Sequence, residues 1–261
     1  MRFIFSLLLF LLISCGVNEF EPDNPIDPDN PDYIPPVVSI ISGLNIDQVV
    51  TNSTIEINFS GNENSMLFRS KLDSNEWSGW LSSTVITLDY LDEGFHEFFL
   101  QGKYTTGDTS EIVWVPFEVN AVSGPSLLFF PRKSVQNIGE TVTLKIYAEE
   151  VYELAGSGFT LDYDPARLRV DAVRQGNIFA NPSTPIFLDE HDTESGHILI
   201  STATWDGGGT TFSGTGTIME IDVVLLSGGI TLIEFDGTEV FRDRDNNEII
   251  INESIGGLIT N

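Results

Sequence analysis

Two arrangements of apolar residues divide the chain. Residues 3–13 read FIFSLLLFLLI and are apolar except for Ser6. From residue 37 onward, apolar and polar residues alternate over short stretches, as in TIEINFSG, where Ile55, Ile57 and Phe59 share one face. Such alternation indicates strands that bury one face, and no stretch keeps a helical period over three turns. The pattern therefore predicts an all-β chain behind an apolar N-terminal segment.

The predicted strands fall into two groups, separated by the break Val122-Ser123-Gly124-Pro125. In the first group, turn clusters such as DSNE, LDEG and TTGD separate the short alternating stretches. A spacing of about 8 to 12 residues between such strands is typical of antiparallel sandwiches. In the second group, strands such as HILISTATW and GTIMEIDVVLL are separated by the glycine runs 207–209 and 228–229. We therefore predict two antiparallel β-sandwiches, over residues 37–122 and 125–261.

The N-terminal segment has the features of a signal peptide. Arg2 gives it a basic start, and the apolar run is shorter than the roughly 20 residues of a membrane-spanning helix. The run ends in LISC, and Cys15 is the only cysteine in the chain. This ending resembles the lipobox of bacterial lipoproteins, which implies cleavage after residue 14 and acylation of Cys15. The alternative is an ordinary secretory signal peptide with an incidental cysteine.

We therefore predict a signal peptide over residues 1–14 and a lipidated Cys15. Between the anchor and the first sandwich, residues 16–36 carry six acidic residues, six prolines and no basic residue. Repeated prolines disfavour helices and central strands, and like charges extend a chain. The sequence thus predicts a disordered tether over residues 15–36. The expected location is the cell envelope, outside the cytoplasm, at the outer membrane or cell surface.

Composition narrows the possible partners. The chain has 39 acidic and 12 basic residues, a formal net charge of −27 at pH 7. Such a surface repels nucleic acid and anionic lipid, so we predict no nucleic-acid partner and no membrane contact beyond the lipid anchor. With a single cysteine, an internal disulfide is impossible and a cysteine-rich metal site is excluded.

Motifs for catalysis or metal binding are weak. Neither G-x-S-x-G nor H-E-x-x-H occurs. Residues 189–197, DEHDTESGH, gather acids with two histidines, but they lie in the longest predicted loop and are interpreted as solvated. The stretch from Asp243 resembles a calcium loop, yet Glu248 replaces the required glycine and Ser254 the terminal glutamate. We predict that the chain is not an enzyme and has no catalytic residue, no metal and no cofactor.

Residues 37–120 resemble the immunoglobulin-like modules of bacterial surface proteins. The segments that carry this resemblance are PPVVSIISG, FRSKLDSNEWSGW, YLDEGFHEFFLQGKY and VPFEV. The resemblance implies a spacer or adhesive module. Within it, Trp77 and Trp80 either pack on the sandwich or form a platform on which sugar rings stack.

Residues 125–261 resemble a cohesin domain. The order of motifs carries this resemblance: Tyr163-Asp164-Pro165, Leu168, Val170, Val173, Gly176, Phe179, Gly214-Thr215-Gly216-Thr217, Ile221 and Asp245-Asn246-Asn247-Glu248-Ile249. It implies a nine-stranded jelly roll that binds a dockerin-like module and takes part in polysaccharide catabolism. Type I cohesins carry an Asn/Asp pair in the strand before Y-D-P, where this chain has Gly156 and Gly158. The resemblance therefore does not imply type I partner specificity.

Strand parity predicts where the partner binds. If Phe159, Leu161 and Tyr163 point inward, the residues between them point outward. The predicted partner-binding residues are Gly156, Gly158, Thr160 and Asp162 on one strand, with Leu199, Ser201, Ala203 and Trp205 on another. We expect a dockerin-like module or a polysaccharide there, with Trp205 as the aromatic anchor.

Two other functions remain open. One is direct carbohydrate binding, with Trp77, Trp80 or Trp205 as stacking residues. The other is a structural or adhesion protein of the envelope, in which both sandwiches act as spacers.

Overall fold

A computed structural model describes residues 24–179, 185–204 and 210–261, and its regular elements are 19 strands. No α-helix occurs in these ranges, so the predicted all-β fold is confirmed. Accordingly, the described residues include no helix long and apolar enough to cross a membrane.

Seven strands form the first sandwich. They are β1 (Val38–Ser42), β2 (Gln48–Val50), β3 (Ile55–Gly61), β4 (Leu67–Leu72), β5 (Val85–Leu88), β6 (Gly94–Lys103) and β7 (Val113–Val119). One sheet has the order β1-β3-β5 and the other β2-β7-β6-β4. Ile57 and Phe59 of the first sheet pack in one core with Phe98 and Phe117 of the second. The immunoglobulin-like assignment of this sandwich remains a prediction.

The second sandwich contains the remaining strands. They are β8 (Ser126–Phe130), β9 (Lys133–Val135), β10 (Thr141–Tyr163), β11 (Leu168–Gln175), β12 (Pro185–Asp192), β13 (His197–Thr204), β14 (Phe212–Leu225), β15 (Thr231–Phe235), β16 (Val240–Asp243), β17 (Glu248–Ile249), β18 (Glu253–Ile255) and β19 (Gly257–Thr260). Their buried side chains form a core that is separate from the core of the first sandwich.

The long strand β10 belongs to both layers of the second sandwich. Residues 141–154 pair with β14, whereas residues 154–163 pair with β16 and β15, and residues 156–162 with β13. Between the two parts the register is irregular, and Glu150 and Glu153 have φ values of 47° and 53°. Bulges of this kind bend a strand and redirect its side chains. The bend brings residues 156–162 into the layer that contains β13, which carries the predicted partner-binding face.

Part of the predicted tether is folded. Ile26 and Tyr33 pack against the first core, and the Tyr104 hydroxyl donates a 3.0 Å hydrogen bond to the carbonyl of Ile34. The prediction of a disordered tether is therefore corrected for residues 24–36, because prolines prevent regular pairing but leave apolar side chains free to pack. Residues 1–23, with the predicted signal peptide and Cys15, lie outside the described residues.

A strand occupies part of the predicted long loop. β12 pairs along its length with β13, and the Asp192 carboxylate closes the turn between them by accepting the N–H groups of Glu194 and Ser195. Hydrogen bonds from Ser195 lower the pKa of Asp192. The loop prediction was wrong because an edge strand exposes polar residues and hides the alternation. Among the described residues, no three His, Asp or Glu side chains lie close enough to hold a metal ion.

Candidate partner-binding face

The predicted face lies on the outside of four neighbouring strands, in the order β12, β13, β10 and β16. Strand register aligns their outward residues in two rows. The first row is Leu188, Ser201, Gly158 and Val240; the second is Ile186, Ala203, Gly156 and Arg242. The two inner strands thus carry small residues, and the two outer strands carry larger ones.

These two rows form a shallow trough. Its floor is Gly156, Gly158, Ser201 and Ala203, and its walls are Ile186 and Leu188 on one side with Val240 and Arg242 on the other. Over the floor and the β16 wall the depression has a volume of about 420 Å³. Three strand spacings separate the wall strands by about 14 Å. An α-helix has a diameter of about 10–12 Å, so this spacing between the strand axes suits a single helix lying over the floor.

The glycines of the floor are not required by the backbone. Neither Gly156 nor Gly158 has a positive φ. A Cβ on Gly158 would lie 3.5 Å from Cγ2 of Val240, which is ordinary van der Waals contact. A Cβ on Gly156 would meet the carbonyl oxygen of Thr202 at 3.3 Å, a slightly tight contact. The main consequence of these glycines is therefore a low floor.

The core beneath the trough fixes its position. Phe159 and Leu161 of β10 and Ile198 and Ile200 of β13 are buried, and the residues between them face outward. This is the alternation predicted from the sequence. Burying such side chains stabilises the fold by about 1.5–3 kcal/mol each. A register slip of one residue would exchange the two faces, so the core holds the floor residues in place.

Beyond the floor, the face becomes more polar along the strands. Thr160 pairs with Leu199, whose side chain is 46 % exposed. The next pair is Asp162 and His197, and Nδ1 of His197 forms a hydrogen bond with the Asp162 carboxylate. From the floor toward this end of the trough, the face is therefore first apolar, at Leu199, and then polar, at Asp162.

The other end of the trough is bounded by the turn after β16. The Asp243 carboxylate accepts the side-chain amide of Asn247 at 2.9 Å and the backbone N–H groups of Asn247 and Asp245 at 2.8 and 2.9 Å. The bond from the Asn247 side chain is the main cause of the lowered pKa of Asp243. The segment that resembles a calcium loop is therefore a tight turn, and its first carboxylate accepts hydrogen bonds from within the turn itself.

The structure places seven of the eight predicted partner-binding residues together on β10 and β13. The eighth, Trp205, lies outside the described residues. Sequence reasoning missed the walls, of which Leu188 is the most exposed at 62 %. The only local signal was the short apolar run IFL at 186–188, which does not show the strand with which it pairs.

Comparison with known proteins identifies the domain that carries the trough. The family model of the cohesin domain matches residues 128–252, and both walls and the floor lie within this span. The chain contains a cohesin domain. Cohesin domains are non-catalytic protein-binding modules. No curated protein matches the chain.

Solved cohesin structures are similar to about half of this chain. A non-cellulosomal cohesin from the hyperthermophilic archaeon Archaeoglobus fulgidus is 16 % identical, with 51 % of this chain and 88 % of that chain covered and a TM-score of 0.43. A type II cohesin from the cellulosome of Acetivibrio cellulolyticus is 19 % identical, with coverage of 51 % and 94 % and a TM-score of 0.47. A type I cohesin–dockerin complex from Clostridium thermocellum is 19 % identical, with 52 % of this chain and 96 % of that chain covered and a TM-score of 0.46.

Proposed function

We propose that this protein is a lipid-anchored envelope protein whose cohesin domain captures a dockerin-like module in the trough. The observation that carries the proposal is the trough itself, within the residues that match the cohesin model. Several solved cohesin structures are complexes with a dockerin, and the proposal assigns the same class of partner to this chain.

The side chains of the trough suit a partner helix. The low floor allows a helix backbone to approach closely, and Leu188 and Leu199 are exposed apolar side chains that a partner can cover. Covering such a side chain contributes about 1.5–3 kcal/mol before the costs of association. Arg242 adds a cation at the wall, and its Nη1 lies 3.8 Å from the Glu248 carboxylate. The partner we infer therefore presents a helix with apolar residues and an acidic residue beside them.

The N-terminal residues supply the proposed location. An acylated Cys15 would hold the chain on the membrane, while the first sandwich would extend the cohesin domain away from it. Capture of a dockerin-bearing hydrolase at the envelope would link the protein to polysaccharide catabolism.

A capture assay tests the proposed partner class. The immobilised chain without its signal peptide is offered type I and type II dockerin modules, with and without a calcium chelator, and separately insoluble polysaccharides. We expect dockerin capture that is lost with the chelator, because the cohesin resemblance implies a dockerin partner whose own loops bind the calcium that the interaction requires. Polysaccharide binding that survives chelation would favour a carbohydrate module instead, and binding to neither would favour a spacer.

A further inference from the structure

The basic residues of the first sandwich are concentrated on one face. Residues 24–122 contain 15 acidic residues but only three basic ones, Arg69, Lys71 and Lys103. All three project from the outer side of the sheet, on the neighbouring strands β4 and β6. None of the three forms an ion pair with a described residue. A strongly acidic chain thus presents one unpaired cationic surface.

These cations alternate with aromatic rings. The order along the surface, called the ladder below, is Phe99, Lys71, Trp77, Arg69, Trp80 and Lys103. The Arg69 guanidinium lies 4.6 Å from the ring centroids of both Trp77 and Trp80, and Lys103 Nζ lies 4.5 Å from the Trp80 centroid. The two tryptophans therefore hold cations over their rings and are not the open sugar platform considered from the sequence.

The guanidinium of Arg69 is held in one orientation. Its Nε and Nη2 donate to Oε1 of Gln101 at 3.0 and 2.7 Å, and Gln101 is fixed in turn by donating to the carbonyl of Ser110 at 2.9 Å. Two of the five N–H donors are used in this way, and the edge formed by Nη1 and Nη2 keeps its outward donors. A planar edge of this kind matches a carboxylate with two parallel hydrogen bonds.

An exposed indole lies beside the ladder. Trp114 of β7 pairs across the sheet with Phe99 and is 51 % exposed. Its Nε1 donates to the Glu97 carboxylate at 3.0 Å, which holds the ring on the sheet surface. The outer face therefore offers carboxylate-binding donors and, next to them, a flat apolar surface. Glu97 is the acid on this face nearest to the ladder in the strand register.

We propose that the ladder together with Trp114 binds a polysaccharide that contains uronic acids. Such a polymer has both groups that the face can recognise: carboxylates for Arg69, Lys71 and Lys103, and sugar rings with apolar faces for Trp114. Lys71 and Arg69 are successive outward positions on β4, about 7 Å apart, and Lys103 continues the row on the neighbouring strand β6, so a polymer can follow the three cations. An acidic polypeptide would use the cations but would leave Trp114 without a matching group. This site is separate from the trough, on the other sandwich.

The test measures binding of polygalacturonate to residues 24–261 at low and high ionic strength. Arg69→Gln removes the bidentate edge, and loss of hydrogen bonds to a charged group corresponds to a decrease in affinity of about tenfold or more. Arg69→Lys keeps the positive charge but lacks the planar pair of N–H donors, so this variant should also bind more weakly. Trp114→Ala should weaken binding, and Glu97→Gln should strengthen it by removing a like charge. The control Arg169→Gln removes the same charge from the second sandwich and should have no effect.

Poly-L-glutamate and a neutral polysaccharide complete the comparison. We expect polygalacturonate to bind and its affinity to fall with added salt. Poly-L-glutamate should bind more weakly, and Trp114→Ala should not change that binding. The neutral polysaccharide should not bind. Absence of polygalacturonate binding at low salt would overturn the proposal. An equal effect of Arg169→Gln would also overturn it, because the attraction would then be diffuse. Preferential binding of poly-L-glutamate would show an acidic polypeptide to be the ligand instead. Near-UV circular dichroism of each variant checks that the fold is retained.

Discussion

Arg132 of the second sandwich and Glu93 of the first form a buried ion pair, with 2.8 Å between Nη2 and Oε1. The two side chains are only 4 % and 15 % exposed. The backbone N–H of Arg132 also donates to the Asp92 carboxylate at 2.7 Å, and Glu93 accepts the N–H of Ala121 at 3.0 Å. The loop that contains Asp92 and Glu93 therefore joins both sandwiches and the segment between them.

Replacing Arg132 with Ala should weaken the connection between the sandwiches. The Glu93 carboxylate would remain buried without its cation, and breaking a buried pair in this way costs about 3–5 kcal/mol. We expect calorimetry to show unfolding at a lower temperature and the two sandwiches unfolding in separate transitions. Lys133→Gln is the matched control, because its pair with Asp89 is exposed and contributes at most about 1 kcal/mol. Equal effects of the two substitutions would contradict this interpretation.

Residues 125–261 should fold without the first sandwich. Their core is separate, and excision removes mainly the hydrogen bonds and ion pairs of Arg132 and Lys133 with residues 89–93. We expect a native near-UV circular dichroism spectrum and one cooperative transition, at a lower denaturant concentration than in the intact chain. Loss of that spectrum would show that the two sandwiches need each other to fold, and the boundary near residue 125 would be wrong.

The stability of the first sandwich should depend on the charge of His96. Nδ1 of His96 lies 2.8 Å from the Asp73 carboxylate and Nε2 lies 2.9 Å from the carbonyl of Asp92. Both partners are acceptors, and an imidazole ring donates from both nitrogens only when protonated. Burial lowers the pKa of His96, but the bonds to Asp73 and Asp92 outweigh burial and raise it above 6.5.

The sign of the pH dependence follows from this raised pKa. The contribution of His96 is complete below pH 6.5, the ordinary pKa, and is lost as the pH rises through the higher pKa of the folded state. We expect the urea midpoint for unfolding of the wild-type protein to fall between pH 6 and pH 9, and His96→Gln to remove most of this decrease. Parallel pH profiles for the two proteins would contradict a protonated His96.

The sequence predicted those features of the structure that depend on neighbouring residues in the chain. Alternation at Phe159 and Leu161 was enough to predict which side of β10 faces outward, because strand parity is a property of neighbouring residues. Alternation could not show that Gly158 pairs with Val240, 82 positions later, so the β16 wall of the trough was missed. The ladder was missed for a similar reason: Arg69 meets Trp80 only because the chain reverses after β4. Packing of Ile26 on the first core likewise depends on tertiary structure.

The lipid anchor rests on Cys15 and has a direct test. If the lipobox prediction is right, the full-length protein partitions into detergent and incorporates a labelled fatty acid. Cys15→Ala should lose both properties while the cohesin domain still folds. Unchanged partitioning of the variant would exclude a lipid anchor at this residue.

The central claim is that the trough captures a protein partner. Gly158→Leu should fill the floor with a side chain that the backbone tolerates, since its Cβ makes only ordinary contact with Val240. Gly79→Leu is the matched control, because a Cβ on Gly79 meets nothing within 4 Å and lies on the other sandwich.

The decisive measurement is the affinity of the wild type and both variants for a captured dockerin module, by titration calorimetry. We expect Gly158→Leu to lose at least about a hundredfold in affinity, equivalent to about 2.8 kcal/mol, with the fold intact, and Gly79→Leu to bind like the wild type. Unchanged affinity of a correctly folded Gly158→Leu would show that the partner does not bind in the trough.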